Sequence, residues 1–299
     1  MEWLKRFLAL FSRKEAAPEA SIEEQPVEAP KAEIRVAASD SIIVGTAQST
    51  GIERSHNEDA LLILTGTAVG QETLPEFGLF VVADGMGGHR SGEVASAISV
   101  RSVAKDLTQQ ILLALLDLED EIAVPPLQDL LREALEQANR AVVEQVPGGG
   151  TTLTVAVLLG HQVTIGHVGD SRAYIIANGT SEVITRDHSL VERLRELGQL
   201  TQEEAARHPQ RNVLYRAIGQ GANLEVDVVT HPAPNGGHML LCSDGLWGVI
   251  GDESILDIVS NASNPQEACR QMVRAANAAG GPDNITAVLV QFPQKNHKE

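Results

Sequence analysis

Acidic residues in this sequence recur where short apolar runs begin or end, the positions at which β-strands deliver side chains to the edge of a sheet. The set comprises Asp84, Asp170 and Asp244, each at the end of an apolar run and beside a glycine, Asp283 before the last run, and Glu58 and Asp59 before another. Carboxylates at the ends of buried strands are unfavourable unless they are paired or bind a metal ion. A cluster of them repels itself and needs divalent cations to hold it together.

Each aspartate taken alone has a second interpretation. Asp-Gly is a common turn dipeptide, so any one of these residues can be a turn former. The repetition of the pattern favours convergence on one edge of a sandwich. The candidate ligands are oxygens, and no HExxH or CxxC motif occurs, which favours Mg²⁺ or Mn²⁺ over zinc.

The composition excludes several classes of protein. The 299-residue chain has 40 acidic and 23 basic residues, a net charge of −17, and such a charge argues against sequence-independent nucleic-acid binding. Apolar residues make up 43% and aromatic residues 3%, so Leu, Val, Ile and Ala must fill the core. Two cysteines cannot form a disulfide scaffold, and we expect a reduced, cytoplasmic protein.

The first 40 residues are predicted to lie outside the folded domain. Residues 1–12 contain an apolar stretch interrupted by two basic residues and lack a signal-peptide cleavage site. They are interpreted either as an amphipathic segment that weakly contacts a membrane surface or a partner, or as a frayed tail. Residues 15–38 are rich in Ala, Pro and Glu, which is typical of a disordered linker. We predict one domain over 41–293 and a flexible tail over 294–299.

The apolar periodicity predicts the elements that must position the acidic residues. Strands are predicted at 41–48, 60–64, 77–84, 151–159, 162–170, 172–179, 223–230, 238–244 and 283–292. Helices are predicted from an N-cap at Ser91 to about Leu118, and at 127–146, 189–209, 252–260 and 265–279. Hairpins and helices fall in separate blocks, which indicates an α+β fold with helices covering sheet faces.

Eight blocks of the sequence resemble, in order, the motifs of the metal-dependent serine/threonine protein phosphatases of type 2C in their bacterial form. They are GIERSHNED (51–59), VVADGMGGHRSGEVAS (81–96), GGTTLTVAVL (149–158), HVGDSRAY (167–174), RDHSL (186–190), NVLYRAIG (212–219), LLCSDGLWGVI (240–250) and GPDNITAVLV (281–290). The resemblance covers about residues 41–292. It implies a four-layer αββα sandwich of two central antiparallel sheets flanked by helices, with a metal centre between the sheets at one end.

The same resemblance implies a set of metal ligands. They are Glu58, Asp59, Asp84, Gly85 through its carbonyl, Asp170, Asp244 and Asp283. Asp84 would bridge two catalytic ions, Mn²⁺ or Mg²⁺, with Glu58 and Asp59 acting directly or through water. Asp170, with Asp244, would form a third and weaker site. Asn284 would orient a neighbouring ligand.

The activity that the resemblance implies is hydrolysis of phosphoserine and phosphothreonine in proteins. Two cations that share a water molecule lower its pKa, and the bridging hydroxide attacks phosphorus in line with the leaving oxygen. Arg54 would hold the phosphate, since a guanidinium suits a bidentate contact. Its alternative is a surface ion pair with a nearby glutamate. The expected partners are phosphoproteins made by a serine/threonine kinase, with no nucleic acid, and we expect a monomer.

One position departs from the eukaryotic members of the family. Many of these have a histidine, taken as the general acid, two residues after the bridging aspartate, where this chain has Met86. The proton for the leaving group must then come from His89, His56 or a water molecule on the metal, and the sequence does not choose among them. Residues 187–217 correspond to the variable flap beside the active site, where substrate choice is expected.

Other mechanisms lack the residues they need. A cysteine-based phosphatase requires an arginine six positions after the thiolate, where this chain has Gly248 after Cys242 and Ala275 after Cys269. No GxxxxGK[ST] motif for a nucleotide phosphate occurs. Two alternatives remain: a phosphatase dedicated to one switch phosphoprotein, and an inactive module that binds partners. Retention of the aspartates argues against the inactive module.

Overall fold

The computed structural model describes residues 41–67, 74–87, 90–116 and 125–294. The predicted N-terminal segment and linker (1–40), His89 and residues 295–299 of the predicted tail lie outside these ranges. No helix of the described ranges is long and apolar enough to span a membrane.

Two five-stranded antiparallel sheets form the centre of the fold. In spatial order, the first sheet contains β1 (Ile43–Ser49), β12 (Ile285–Gln291), β11 (His238–Cys242), β8 (Arg172–Ala177) and β9 (Thr180–Val183). The second contains β10 (Asp227–Pro232), β7 (Gln162–Val168), β6 (Leu153–Leu159), β3 (Phe77–Ala83) and β2 (Ala60–Gly66). A small ribbon pairs β4 (Gly85–Met86) with β5 (Gly150–Thr151).

Four long helices cover the outer faces of the sheets. They are α1 (Arg90–Leu107), which continues through a π-helical turn (Thr108–Leu112) and a last turn (Leu113–Leu115), α2 (Leu127–Gln145), α5 (Asp244–Asn261) and α6 (Pro265–Ala278). Two short helices, α3 (Leu190–Glu196) and α4 (Gln202–Ala206), lie between β9 and β10 in the chain. Helices α1 and α2 pack on the second sheet, and α5 and α6 pack on the first. The predicted four-layer sandwich is confirmed.

Three apolar layers hold the sandwich together. One lies between the sheets and includes Phe80, Leu241 and Val288, and the other two lie under the helices. Every residue of β3 is buried, which explains why its sequence is apolar without alternation: both faces of the strand are covered.

The strand register brings the acidic residues to one end of the sandwich. In the second sheet Ala60 pairs with Ala83, so the residues next to them, Asp59 and Asp84, leave the sheet side by side. In the first sheet Cys242 pairs with both Arg172 and Ala287. The segments that carry Asp170, Asp244 and Asp283 therefore meet at the same edge.

Several local predictions were wrong. Ser91 is not an N-cap, because α1 already includes Arg90. The region 189–209 forms two short helices rather than one, separated at Gly198, whose φ of +70° is incompatible with a continuous helix. Helix α5 begins at Asp244, not near 252, and is kinked at Gly251 (φ 73°, ψ 163°). The strand predicted over 223–230 covers 227–232 instead.

Candidate active site

The acidic end of the sandwich opens into a cleft of about 340 Å³. Its lining includes eight of the nine predicted site residues: Arg54, Glu58, Asp84, Gly85, Asp170, Asp244, Asp283 and Asn284. The ninth, Asp59, lies behind the cleft wall. Residues from both sheets thus meet in one place, as the strand-end pattern predicts.

Asp84 and Asp244 form the centre of the cleft. The two carboxyl groups line the same cleft and act electrostatically on each other, and two ionised carboxylates repel. Burial raises the pKa of both groups, that of Asp84 well above its usual range and that of Asp244 to about 6. The charge of Asp283 raises the pKa of Asp244 further, whereas a hydrogen bond from Asp84 acts in the opposite direction. Oδ1 of Asp244 is buried and has no hydrogen-bond partner among the described residues. This arrangement is stable when a cation lies against both oxygens.

The backbone around Asp84 is fixed by two threonines of the neighbouring strand. Asp84 N donates to Thr152 Oγ1 (2.9 Å), and Thr151 Oγ1 donates to Asp84 O (2.9 Å). No local pattern in the sequence identifies these two threonines as partners of Asp84. Their effect is to hold the end of β3 in one orientation.

Gly85 lies where the chain passes another backbone segment closely. A Cβ at this position would lie 2.4 Å from Gly92 O and 2.6 Å from Glu58 O, so any side chain is excluded. The Gly85 N–H donates to Glu58 O (3.2 Å). Glycine at 85 therefore keeps the loop bearing Glu58 against the end of β3.

Asp283 binds Arg54 at the mouth of the cleft. Arg54 Nη2 lies 2.7 Å from Asp283 Oδ2, and the arginine side chain is 50% exposed. Oδ1 of the same carboxylate accepts the backbone N–H of Asn284 (2.8 Å). The arginine predicted to hold phosphate is thus beside the acidic cluster, and the observed partner is Asp283 rather than Glu53 or Glu58.

Asn284 holds the loop that carries Arg54 and Glu58. Its Oδ1 accepts from Glu58 N (2.7 Å), and its Nδ2 donates to the carbonyls of Thr50 and His56 (both 2.9 Å). The side-chain amide contacts that loop, while the backbone N–H is the group that contacts Asp283. Its contacts therefore extend along the loop from Thr50 to Glu58.

Asp59 is buried behind the other carboxylates, with 9% exposure. Its Oδ2 accepts from Ser243 Oγ (2.8 Å) and Thr286 Oγ1 (2.6 Å). Burial raises its pKa to about 7, although these two hydrogen bonds act in the opposite direction. Ser243 and Thr286 were not identified from the sequence. Ser243 directly precedes Asp244, and Thr286 follows Asp283 by three positions. This proximity in sequence is the one signal that could have identified them.

Asp170 lines the cleft and is 7% exposed. Burial raises the pKa of its carboxyl group, and the negative charge of Asp244 raises it further. Its carbonyl accepts from Trp247 Nε1 (3.0 Å). The predicted pairing of Asp170 with Asp244 is consistent with this electrostatic influence, and Trp247 fixes the Asp170 backbone through its indole N–H.

The donor set fits hard cations that retain water. No three acidic, histidine or cysteine side chains in the described ranges converge closely enough to hold an ion by themselves. The available ligands are instead adjacent carboxylates, an unpartnered carboxylate oxygen and a backbone carbonyl in an open cleft. Mg²⁺ and Mn²⁺ bind such oxygen donors, and Mg²⁺ usually keeps several water molecules.

A second, larger groove of about 830 Å³ continues from the cleft. Asp170, Asp244 and Asp283 line both cavities. Its walls are the two short helices α3 and α4 on one side and the start of α5 on the other, where the Arg172 guanidinium stacks 3.5 Å above the ring of Trp247. A polypeptide bound with one residue in the cleft can extend along this groove.

Comparison with known proteins agrees with this geometry. The family model described as Protein phosphatase 2C matches residues 52–290. A serine/threonine phosphatase stp of Listeria welshimeri is 36% identical over 244 residues, which cover 80% of this chain and 91% of the relative.

Solved structures of bacterial serine/threonine phosphatases also match this chain. The crystal structure of the serine/threonine phosphatase PstP/Ppp of Mycobacterium tuberculosis is 31% identical, with a TM-score of 0.70, and covers 85% of this chain and 99% of its own. A structure of the PstP catalytic domain in complex with 2 manganese ions is 30% identical, with a TM-score of 0.68 and the same coverage of 85% and 99%. The chain therefore belongs to the bacterial branch of the protein phosphatase 2C family of metal-dependent serine/threonine protein phosphatases.

Proposed function

We propose that the cleft holds two catalytic Mn²⁺ or Mg²⁺ ions and hydrolyses phosphoserine and phosphothreonine in proteins. Asp84 would contact both ions, with the Gly85 carbonyl on one side and Asp244 and Asp283 on the other. The convergence of Asp84, Asp244 and Asp283 on one cleft carries this proposal, together with the buried Asp244 Oδ1 that lacks a hydrogen-bond partner among the described residues, because such a cluster favours bound cations. When bound, the ions lower the pKa of water and offset charge on the phosphoryl oxygens.

The remaining acidic residues take supporting positions in this proposal. Glu58 reaches the cleft and acts directly or through water. Asp59, bound by two hydroxyl groups, acts through water from behind the cleft wall. Asp170, with Asp244, provides the third and weaker site.

Arg54 is the residue proposed to hold the substrate. Its side chain is half exposed at the cleft mouth, where an incoming phosphate dianion can replace Asp283 as its partner. A guanidinium binds two phosphate oxygens at once and fixes the orientation of the monoester. Asn284 holds the loop that carries Arg54, so it keeps that arginine beside the acidic cluster.

The proton for the leaving Ser or Thr oxygen does not come from Met86, whose thioether carries none. His56 lines the cleft, and its imidazole lies 3.0 Å from Ser55 Oγ. His56, His89 and water remain the three candidates. A loss of the basic limb of the pH–rate profile in His56→Gln, with retained substrate affinity, would assign the role to His56.

The substrates proposed for this site are phosphoproteins made by a serine/threonine kinase. The groove beside the cleft supports a polypeptide substrate, because its volume of about 830 Å³ is far greater than a single phosphoamino acid needs. The net charge of −17 supports the absence of nucleic-acid partners. We propose a monomer with its catalytic domain at 41–293. Weak contact of residues 1–12 with a membrane or a partner stays a prediction.

Metal-dependent kinetics test the proposal. The panel is p-nitrophenyl phosphate, matched phosphothreonine and phosphotyrosine peptides, and one phosphoprotein, each with Mn²⁺, Mg²⁺ or EDTA. We expect Mn²⁺-dependent turnover of the phosphothreonine peptide and little turnover of the phosphotyrosine peptide. Asp84→Asn is the control for a contaminating phosphatase.

Each other outcome points to one of the alternatives. Cleavage of a single phosphoprotein, without cleavage of peptides, would favour a dedicated switch phosphatase. No turnover of any substrate with either ion would favour the inactive binding module and would contradict the proposal.

A further inference from the structure

The residue before Asp170 has a backbone conformation that only glycine tolerates. Gly169 follows strand β7 and has a φ of +115°. A Cβ at this position would lie 2.6 Å from the Cβ of Thr152. Since Asp170 comes directly after it, the orientation of this one residue determines where the Asp170 carboxylate points.

Two buried imidazoles bind the polar backbone atoms of Gly169. Nδ1 of His188 lies 3.1 Å from Gly169 N, and Nε2 of His167 lies 3.0 Å from Gly169 O. The backbone N–H of His188 also donates to Gly169 O (2.7 Å). The two histidines are 2% exposed or less. We call His167 and His188 the histidine clamp.

The partners of the clamp fix the tautomer of each ring. A backbone N–H only donates, so Nδ1 of His188 must be the acceptor and Nε2 must carry the proton, which it donates to Asp227 Oδ2 (3.1 Å). Arg216 Nη1 lies 3.1 Å from the same Nε2 and donates to the other oxygen of Asp227 (2.7 Å). Because both nitrogens carry hydrogen, both donate to Asp227 and keep that carboxylate in place. Gly169 N and Asp227 therefore hold the His188 ring in one orientation from its two nitrogens.

His167 is fixed in the same way. Its Nε2 faces two carbonyls, those of Gly169 and Arg186 (3.1 Å), so this nitrogen carries the proton. Its Nδ1 accepts from Thr154 Oγ1 (2.9 Å). Both rings thus act as neutral groups with one donor and one acceptor.

The clamp also contacts the base of the flap, residues 187–217. Arg186, which binds His167, immediately precedes the flap. His188 lies at its start and accepts at its carbonyl from Tyr215 N (3.0 Å), near its end. The two ends of the flap and the Gly169 backbone are therefore joined through the same two residues.

We propose that His188 is a positioning residue for Asp170: its Nδ1 holds the Gly169 amide, fixes the direction of the Asp170 carboxylate and links that carboxylate to the base of the flap. The proposal rests on the assignment of Asp170 to the weaker metal site. Without the acceptor, the buried Gly169 N–H loses its partner, and the segment that carries Asp170 is held at Gly169 through the carbonyl alone.

Two amide substitutions separate the two ring nitrogens of His188. The carbonyl oxygen of asparagine reaches the position of Nδ1, so His188→Asn keeps the acceptor for Gly169 and loses the contact with Asp227. The amide nitrogen of glutamine reaches the position of Nε2, so His188→Gln keeps the contact with Asp227 and loses the acceptor. The two variants are matched controls of equal charge.

Hydrogen exchange of the Gly169 amide in metal-free protein is the direct readout. We expect His188→Gln to lose protection by about threefold to tenfold, the effect of one hydrogen bond, and His188→Asn to keep most of it. The reverse order would show that His188 acts through Asp227 and would overturn the proposal. Equal protection in both variants would also overturn it.

Binding isotherms with Mn²⁺ alone then test the link to the metal site. We expect His188→Gln to weaken the weakest Mn²⁺ site by about threefold to tenfold, while the tighter sites keep their affinity. Lost Gly169 protection with unchanged Mn²⁺ binding would overturn the positioning role. Asp170→Asn is the reference: if it removes no Mn²⁺ site, the metal assignment fails rather than the clamp.

A measurement on the wild-type chain covers the case in which a variant does not fold. ¹⁵N-histidine spectra of the metal-free protein report which nitrogen of each ring carries the proton. We expect His188 to be protonated at Nε2 alone. Protonation at Nδ1 would remove the acceptor for Gly169 and contradict the proposal without any substitution.

Discussion

The carboxyl groups of Asp84 and Asp244 line the same cleft and act electrostatically on each other, although they follow strands of different sheets. The fold brings them together: β3 and β11 end at the same edge, and the threonines beside Asp84 prevent it from turning away. Their proximity is unfavourable between two ionised groups and favourable around a cation. The cluster of carboxylates at this end of the sandwich therefore lowers the stability of the metal-free protein.

Removal of the carboxylate charge of Asp84 or Asp244 should raise the stability of the metal-free protein and lower its activity. In Asp84→Asn or Asp244→Asn, we expect the free energy of unfolding of the metal-free protein to rise by about 1 kcal/mol, because one repulsive charge is lost. Turnover should fall by more than the roughly 10- to 100-fold that loss of an outer-shell partner costs. Denaturant unfolding in EDTA and assays in Mn²⁺ measure the two effects. Near-normal turnover in either variant would contradict the metal assignment.

Substitution of Arg54 should act mainly on substrate binding. We expect Arg54→Ala to raise KM for a phosphothreonine peptide by about tenfold, as for a lost charge-assisted hydrogen bond, and to lower kcat less. Arg54→Lys should recover part of the affinity, since lysine keeps the charge and loses the bidentate contact. Steady-state kinetics on one peptide series measure both. Unchanged KM and kcat in Arg54→Ala would remove Arg54 from the site.

His167 should make the metal-free protein less stable in acid. Burial, with the nearby His188 adding to it and Asp227 opposing it, lowers the pKa of His167 from 6.5 to about 3. Below pH 6.5 His167 binds a proton in the unfolded chain, whereas in the folded protein it stays neutral until the pH approaches about 3. The unfolding free energy that the protein has above pH 6.5 therefore decreases as the pH falls toward about 3.

A glutamine variant isolates this effect. His167→Gln keeps a donor in the position of Nε2 and does not titrate. Between about pH 7 and about pH 5, the wild type should lose about 2 kcal/mol more unfolding free energy than the variant. Urea unfolding in EDTA at both pH values measures the difference. Equal losses would mean that His167 is protonated in the folded protein at the same pH as in the unfolded chain.

Deletion of residues 1–38 should leave hydrolysis of p-nitrophenyl phosphate unchanged. The family match begins at residue 52, and the first strand begins at Ile43. A deletion of 1–49 is the matched control: it removes β1, the partner of β12, and we expect it to prevent folding. A loss of activity in the shorter deletion would place part of the N-terminal segment in the catalytic domain.

The sequence predicted the acidic site well because strand ends mark it locally. An apolar run followed by Asp-Gly is visible without knowledge of the fold, and the family motifs add the order of the blocks. The residues that hold the acidic side chains in place are not marked by a local pattern. Ser243 and Thr286 bind Asp59 across 184 and 227 positions of sequence, and no local pattern identifies a hydroxyl group as the partner of a distant carboxylate.

The errors in secondary structure have local causes. Helix α5 begins at Asp244 in a segment that contains Gly245 and Gly248, residues that disfavour helix. The segment is helical because Leu246 is fully buried in the layer under α5. Within the flap, tertiary contacts and a glycine of positive φ divide what periodicity alone presents as one helix.

Anomalous scattering of manganese in a crystal of the protein grown with Mn²⁺ shows whether the acidic cleft binds metal ions. We expect two strong anomalous peaks in the cleft, with Asp84 in contact with both and Asp244 and Asp283 beside one of them. A weaker third peak should lie between Asp170 and Asp244. An absence of peaks in the cleft, or peaks held by other residues, would contradict the metal assignment.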